Sequence, residues 1–175
     1  PLWSRGLGDV YKRQVIAAQN ARSTTSVDLA NRSRGLTEEN FGLNGIDPKS
    51  QYIYVMDTFD YYNYAARHGL QYETVVIDPP SFARNKKKTF SVQKDYGSLV
   101  KGALSVLAPE GSLLLCTNSS AFSLKAFKNV IKKTLDEEGV EFEIREVMGL
   151  PKDFKTHPHY KPSKYLKAVF IDIKH

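Results

Sequence analysis

Apolar and polar residues alternate along this chain in two rhythms, short β-branched runs and longer amphipathic stretches. The short runs predict β-strands, and the amphipathic stretches predict helices between them. The predicted strands span residues 23–29, 52–57, 73–80, 112–118, 140–150 and 164–174, and the predicted helices span 30–44, 58–69, 92–107 and 123–138. Strands separated by helices favour a parallel sheet, whereas two final strands without a helix between them favour an antiparallel pair. The pattern therefore predicts an α/β, doubly wound sheet that is mostly parallel with an antiparallel edge strand.

Turn-forming residues mark the ends of these predicted elements. Asn44-Gly45, Gly69 and Gly139 each follow a predicted helix, and glycine at such a position readily adopts the left-handed conformation that ends a helix. Thr58 is a candidate amino-terminal cap for the second helix. The sequence Pro109-Glu110-Gly111 predicts a turn before the fourth strand.

Composition places the chain among ordinary globular proteins. Its 175 residues are 41% hydrophobic and 25% charged, which is typical of one soluble domain. No apolar run approaches the roughly 20 residues that a membrane helix needs. The single cysteine, Cys116, excludes an internal disulfide and a cysteine-cluster metal site, and it fits a reducing compartment. We therefore expect a cytoplasmic protein that is not bound to a membrane.

Net charge adds a weak indication of a polyanionic partner. The formal charge is +6, but many basic proteins bind no nucleic acid. The position of the charge is more informative than its sum, because the basic run ARNKKK at 83–88 directly follows the most unusual motif of the chain.

Three consecutive predicted strands end in an aspartate: Asp28, Asp57 and Asp78. Ligands of open α/β sheets bind beyond the carboxyl ends of the strands, and an acidic residue there typically accepts hydrogen bonds from ribose hydroxyls. A single aspartate in this position is more often a cap or turn residue. Three in succession favour a nucleoside ligand.

The motif Asp78-Pro79-Pro80 is more specific. Two prolines after a strand remove two backbone donors and fix the direction of the chain. They leave a rigid corner that offers only acceptors, the carboxylate and the carbonyls. Such a corner suits a planar base that presents amino donors.

From residue 15 onwards the chain resembles the methyltransferase domain of class I, S-adenosylmethionine-dependent large-subunit ribosomal RNA methyltransferases. The blocks that carry the resemblance are STTSVDLANRS, YIYVMDTFDYY, VVIDPPSFARNKKKTFSVQKDYGSL and GLPKDFKTHPHYKPSKYLKAVF. The resemblance implies a Rossmann-like methyltransferase fold, S-adenosylmethionine as cofactor and 23S ribosomal RNA or its precursor as partner.

The resemblance also implies roles for individual residues. The residues implied to bind the cofactor are Asp28, Asp57, Thr58, Phe59 and Asp78. Those implied to be catalytic are Asp78, Pro79, Pro80 and Asn118. Those implied to bind RNA are Phe82, Arg84, Lys86, Lys87 and Lys88. Phe82 is a candidate for stacking on an extruded base, with packing in the core as the alternative.

The methylated atom depends on whether the chain has a reactive thiol. Methylation of cytosine C5 needs a thiolate that adds to the ring, and relatives with that activity carry a cysteine where this chain has Asn118. Cys116 lies two residues earlier, inside a predicted apolar strand, where a cysteine is usually inert. The TNSS block is closer to relatives that methylate guanine. We therefore favour a guanine nitrogen, with cytosine C5 as the alternative.

Two other classes of protein remain as alternatives. A nicotinamide-dependent (NAD) oxidoreductase also has acidic strand ends, but it does not explain Asp-Pro-Pro followed by a basic loop. A non-catalytic RNA-binding module could use the same groove. His157 and His159 lie in a proline-rich loop with no evident third ligand, so we expect no metal.

Residues 4–14, SRGLGDVYKRQ, have the G-x-G spacing of a phosphate-binding loop. A strand should precede such a loop, but only Pro1-Leu2-Trp3 stand before it. The segment matches the translation of a transposon-end sequencing adapter. We therefore interpret residues 1–14 as non-native and residues 15–175 as a partial methyltransferase domain.

A missing strand would affect cofactor binding. The resemblance implies that the first strand of the sheet and its glycine loop are absent, and that this strand would lie between the strands ending at Asp28 and Asp78. We therefore expect unpaired edges on those two strands, and an inactive chain that binds cofactor weakly or not at all.

Overall fold

The computed structural model describes residues 10–84, 89–157, 159–160, 163 and 165–174. Contacts within the chain define two compact units, Pro1–Tyr64 and Ala65–His175. Each unit has its own sheet.

The first unit contains a pair of parallel strands. Its elements are α1 (Val10–Ala18), β1 (Thr24–Asp28), α2 (Arg32–Leu43), a 3-10 turn (Pro48–Ser50), β2 (Gln51–Val55) and the first part of α3 (Thr58–Arg67). Strands β1 and β2 pair in parallel, with Asp28 opposite Val55. Both strands therefore end at the same edge, which is where the sequence analysis places two of the aspartates.

Helix α1 is tied to both strands by one side chain. Gln14 is buried, and its Nε2 atom donates to the backbone oxygens of Thr24, at 3.5 Å, and Tyr52, at 3.2 Å. The helix runs without a break through position 14, at which the sequence analysis ends the non-native segment. The adapter origin of residues 1–14 stays a prediction.

The second unit is built on a mixed sheet of four strands in the order β3-β6-β8-β7. Its elements after α3 are β3 (Tyr72–Ile77), β4 (Phe82–Arg84), β5 (Thr89–Ser91), α4 (Val92–Leu104), β6 (Leu107–Thr117), α5 (Leu124–Glu137), β7 (Glu141–Met148) and β8 (Lys167–Lys174). Strands β3 and β6 are parallel, and β8 runs antiparallel to both β6 and β7. The predicted α/β fold is confirmed, and the two final strands pair antiparallel as predicted. The sheet is mixed rather than mostly parallel, and the reversed strand β8 lies between β6 and β7 instead of at the edge. Among the described residues, β1 pairs only with β2 and β3 only with β6, and these are the strands for which an unpaired edge is expected.

The core of the second unit lies between the sheet and helices α4 and α5. Tyr96 on α4 is fully buried, and its ring meets the ring of Phe127 on α5 edge-on, with centroids 4.8 Å apart. Phe122 adds a third ring, 5.4 Å from Phe127. Apolar side chains from both helices and the central strands complete this core: Leu99, Val100, Leu113, Leu115, Ile131, Leu135, Val169 and Ile171.

Helix ends follow the sequence pattern closely. Gly45, Gly69 and Gly139 have positive φ angles of 65°, 62° and 67° and follow α2, α3 and α5. Ser123 caps α5 by accepting a hydrogen bond from the backbone N–H of Ala126. The three glycine stops are confirmed.

The predicted turn at 109–111 lies inside strand β6. Glu110 has a φ of 57°, and a Cβ on Gly111 would come within 2.8 Å of the Ala108 oxygen. The register with β3 shifts at this point, from Tyr72 opposite Leu107 to Thr74 opposite Ser112. The prediction was wrong in starting the strand only at Ser112, because β6 begins at Leu107 and pairing with β3 resumes after the shift in register.

The polar stretch after Asp78-Pro79-Pro80 is not wholly irregular. Strands β4 and β5 form a short antiparallel hairpin, with Phe82 opposite Ser91 and Arg84 opposite Thr89. Three-residue strands carry no readable periodicity, so the sequence pattern did not predict them. Within the described ranges, none of the helices has both the length and the apolar content required to cross a bilayer.

Candidate functional site

The carboxyl edge of β1 and β2 brings two predicted site residues together. The Met56 N–H donates to the backbone oxygen of Asp28 at 3.2 Å, which places Asp57 directly beside the end of β1. Both aspartates use the same local arrangement. The Ala30 N–H donates to Oδ1 of Asp28, and the Phe59 N–H donates to Oδ1 of Asp57, each at 2.9 Å.

These two turns orient both carboxylates before any ligand binds. A carboxylate can accept about four hydrogen bonds, and each of these two side chains uses one oxygen to hold its own turn. Asp28 and Asp57 are half-buried. The edge therefore presents two fixed acceptors, the chemistry that ribose hydroxyls require.

Helix α3 begins directly after Asp57. Thr58 is its first residue, but the N–H of Phe59 is bonded to the Asp57 carboxylate, so Asp57 occupies the capping position proposed for Thr58. Phe59 is half-buried, and its ring meets Tyr62 edge-on with centroids 6.5 Å apart. Burial raises the pKa of the Tyr62 hydroxyl, so this pair of aromatic rings carries no charge.

In the second unit, the corner at Asp78-Pro79-Pro80 meets the end of β6. Asp78 and Pro79 are half-buried, and the Oδ1 atom of Asp78 is inaccessible to solvent. The Ser81 hydroxyl donates to Oδ1 of Asn118 at 3.1 Å. Two of the predicted catalytic segments, the corner and the turn at Asn118, are thus joined by one hydrogen bond. Ser81, which lies between the prolines and Phe82, therefore links the proline corner to the turn at Asn118.

Tyr96 supports both segments from the core. Its hydroxyl lies 2.9 Å from the Cys116 oxygen and 3.3 Å from the Ile77 oxygen. Ile77 directly precedes Asp78, and Cys116 lies two residues before Asn118. The tyrosine therefore contacts the backbone of both strands, β3 and β6, close to where each leads into a site segment.

Lys167 holds the turn that follows Asn118. Its Nζ atom donates to the Ser119 oxygen at 2.6 Å and to the Tyr165 oxygen at 2.9 Å. The side chain is largely buried, and burial lowers the pKa of its ammonium group. A groove of about 390 Å³ lies beside it, with Leu124, Val147 and Met148 among its lining residues.

Two of the residues assigned to RNA, Phe82 and Arg84, lie on strand β4 of the hairpin. Phe82 is 61% exposed, so the alternative that it packs in the core is excluded. Arg84 lies on β4, opposite Thr89. Lys86, Lys87 and Lys88 fall outside the described residues.

Cys116 lies within β6, opposite Ala168 of β8, and is buried. Burial in an apolar strand raises the cost of forming a thiolate. This placement agrees with the expectation that the cysteine is not a nucleophile.

Two side chains of the site were missed from the sequence. Tyr96 occupies an apolar position of an amphipathic helix, and Lys167 begins a buried strand. The only local signal is a polar atom at a position that the pattern buries, since such an atom needs a partner. The partners lie 19, 20 and 48 residues away, so the sequence could not name them.

Comparison with known proteins gives a consistent result. A model of the S-adenosylmethionine-dependent methyltransferase family matches residues 11–171. The ribosomal RNA large subunit methyltransferase YwbD of Bacillus subtilis is 44% identical over 158 residues, covering 90% of this chain and 40% of the relative. Ribosomal RNA large subunit methyltransferase K of Neisseria meningitidis is 34% identical over 131 residues, covering 70% of this chain and 37% of the relative.

A solved structure shows the same similarity. The methyltransferase SMU.776, crystallised with SAH, superposes with a TM-score of 0.87 at 40% identity, over 93% of this chain and 42% of that one. The chain thus spans about two fifths of the length of these relatives.

Proposed function

Since this chain belongs to the S-adenosylmethionine-dependent methyltransferase family, we propose that it takes part in methylating a base of large-subunit (23S) ribosomal RNA, with a guanine nitrogen as the target. The observation that carries the proposal is the joining of the Asp78-Pro79-Pro80 corner to Asn118 through Ser81. With an RNA of this kind as substrate, the activity we propose is cytoplasmic.

The residues of the first unit fit the nucleoside part of the cofactor. Asp28 supplies acceptors for its ribose, and Asp57, Thr58 and Phe59 lie by its adenine. Asp78 is the remaining residue that the resemblance implies to bind the cofactor. S-adenosylmethionine supplies an electrophilic methyl group, so the protein contributes position and exclusion of water.

The corner at Asp78 suits the target base. Pro79 and Pro80 have no N–H, and the carboxylate of Asp78 adds acceptors. The Watson–Crick edge of guanine presents the N1–H and N2–H₂ donors that such a corner can accept. Asn118, which Ser81 orients, contributes to the same recognition of the base from the turn after β6.

The hairpin is suited to hold the surrounding RNA. The target base has to leave its stack to reach a pocket, and an exposed aromatic ring can stack on it or on its neighbour. Phe82 is such a ring. Arg84, Lys86, Lys87 and Lys88 supply positive charge to phosphates beside it.

Burial of Cys116 favours a purine nitrogen over cytosine C5. Attack on C6 of cytosine requires an accessible thiolate, and Cys116 is 9% exposed. Asn118 stands where that thiol would be expected, and an amide cannot add to the ring. A nitrogen nucleophile needs no covalent intermediate with the protein.

Two measurements test the proposal. Equilibrium dialysis of the chain against labelled S-adenosylmethionine, up to millimolar concentrations because binding is expected to be weak, should show binding that SAH displaces and NAD does not. Displacement by NAD would support an oxidoreductase, and RNA binding without cofactor binding would support a non-catalytic module.

The second measurement identifies the base. The chain is incubated with methyl-labelled S-adenosylmethionine and unmodified 23S rRNA, and the RNA is digested to nucleosides. A partial domain is expected to be inactive, so any transfer is itself a finding; where label is transferred, we expect it in a methylguanosine. Label in 5-methylcytidine would overturn the assignment of the target, and the Cys116→Ser variant would then abolish transfer.

A further inference from the structure

The ladder of hydrogen bonds between β3 and β6 ends just before the two site segments. Its last pair is Ile77 opposite Leu115. Beyond this pair the two chains continue to the Asp78 corner and the Asn118 turn. Their relative position is therefore no longer fixed by strand pairing.

The Tyr96 hydroxyl replaces the missing ladder bonds. It approaches the Ile77 oxygen at 3.3 Å and the Cys116 oxygen at 2.9 Å. A phenol has one proton, so the two carbonyls share one donor. The hydroxyl thus joins the ends of both strands at one point.

The position of that hydroxyl is set by the core. Tyr96 is 0% exposed, and its ring packs edge-on against Phe127 at 4.8 Å. Phenylalanine would fill the same space, so packing alone does not explain a hydroxyl here. A buried hydroxyl is costly without partners, and its partners here are the two strand ends.

We propose that Tyr96 is a positioning residue, whose hydroxyl sets the spacing between the Asp78 corner and the Asn118 turn. The proposal rests on the proposed function only in treating these segments as the methyl-transfer site. Tyr96 itself touches neither base nor cofactor in this role.

The first test is amide hydrogen exchange of the full chain by NMR, comparing wild type with Tyr96→Phe. Exchange at Asp78, Ser81, Asn118 and Ser119 should accelerate about tenfold, as expected for losing one hydrogen bond. Replacing the tyrosine by 3-fluorotyrosine makes the hydroxyl a stronger donor and should slow exchange at the same amides.

Ile131→Val is the matched control. Ile131 is buried in α5, and removing one methylene there lowers global stability by a similar amount. This variant should accelerate exchange across the whole unit rather than at the four amides. If Tyr96→Phe gives the same uniform pattern as Ile131→Val, the positioning role is wrong.

Methyl transfer provides the second readout. At a temperature well below unfolding, Tyr96→Phe should lower kcat about tenfold and change KM for RNA by less than about twofold, whereas Ile131→Val should change neither. Equal kcat for wild type and Tyr96→Phe overturns the proposal. If wild type transfers no methyl group, as expected of a partial domain, the exchange pattern alone decides the role of Tyr96.

Discussion

Single residues of the first unit show how a carboxylate is prepared for a ligand. In Asp28 and Asp57, one oxygen accepts the N–H of the residue two positions ahead. This bond fixes the side-chain torsion, so the proposed binding of a ribose hydroxyl would cost less conformational entropy. A third aspartate, Asp47, makes the same bond to Lys49 at 2.9 Å, but before β2 rather than after it.

This repetition provides a matched pair of variants. We expect Asp57→Asn to weaken S-adenosylmethionine binding about 10- to 100-fold, because asparagine keeps the turn acceptor but loses the charge that strengthens a bond to ribose. Asp47→Asn removes the same charge at the opposite end of β2 and should leave affinity within about twofold. Equilibrium dialysis measures both, and equal losses in the two variants would show that net charge, not position, controls binding.

Phe82 is the residue whose side chain discriminates stacking from simple apolar contact. We expect Phe82→Leu to weaken RNA binding by about 1–3 kcal/mol, because leucine keeps apolar surface but has no ring to stack. Phe82→Trp should retain binding. Fluorescence anisotropy with a labelled RNA measures both, and an unaffected Phe82→Leu variant would remove the ring from the RNA interface.

At the same scale, the sequence predicted residues whose role is local. Asp28, Asp57 and Asp78 could be named because each lies at or just beyond the end of a readable strand. Tyr96 and Lys167 could not, since their hydrogen bonds join positions far apart in the chain. Exposure of Phe82 was also open from the sequence, because a lone aromatic beside a proline turn fits either surface or core.

Among the elements, β8 links both of its neighbours through one carboxylate. Asp172 accepts a hydrogen bond from Ser112 on β6 at 2.7 Å, and Arg145 on β7 binds both of its oxygens at 2.6 and 2.7 Å. The same guanidinium lies 4.5 Å from the ring centre of Phe170. The Ser112 hydroxyl and the Arg145 guanidinium lower the pKa of Asp172.

This lowered pKa predicts a change of stability with pH. The stabilising contribution is complete above the pKa of about 3.9 for an unfolded aspartate and is lost as pH falls through the lower, folded pKa. The urea midpoint of wild type should therefore fall more steeply between pH 5 and 2 than that of Asp172→Asn. Asp153→Asn, in an exposed loop, serves as control. Parallel curves for wild type and Asp172→Asn would contradict the linkage.

Most elements were predictable because their patterns are long enough to read. The four helices and six strands inferred from the sequence all occur. The hairpin at Phe82 and the continuation of β6 through Glu110 were not predictable, since tertiary pairing there overrides weak local signals.

For the whole molecule, charge is the property that a polyanion senses. The chain carries +6, and two groups of four cations can be compared. The first, here called the hairpin group, follows the Asp78 corner in the sequence and consists of Arg84, Lys86, Lys87 and Lys88. The second lies on α5 and consists of Lys125, Lys128, Lys132 and Lys133.

Removing either group changes the net charge by the same amount. If the hairpin group contacts RNA phosphates, its fourfold alanine variant should reduce the slope of log K against log salt by up to about 3, at roughly 0.7 per phosphate. The α5 variant should reduce it by less than about 1. Binding titrations from 50 to 300 mM salt measure these slopes, and equal slopes would mean that RNA senses only the overall charge.

The irregular stretch of β6 around Glu110 and Gly111 determines where this strand can accept inserted residues. An insertion there would enlarge the bulge and leave Thr74–Ile77 paired with Ser112–Leu115. One inserted residue between Ser112 and Asn118 would instead turn every following side chain to the opposite face and move Asn118 away from Ser81. Insertions and deletions among functional homologues should therefore fall before Ser112 and be excluded from the seven-residue segment that ends at Asn118.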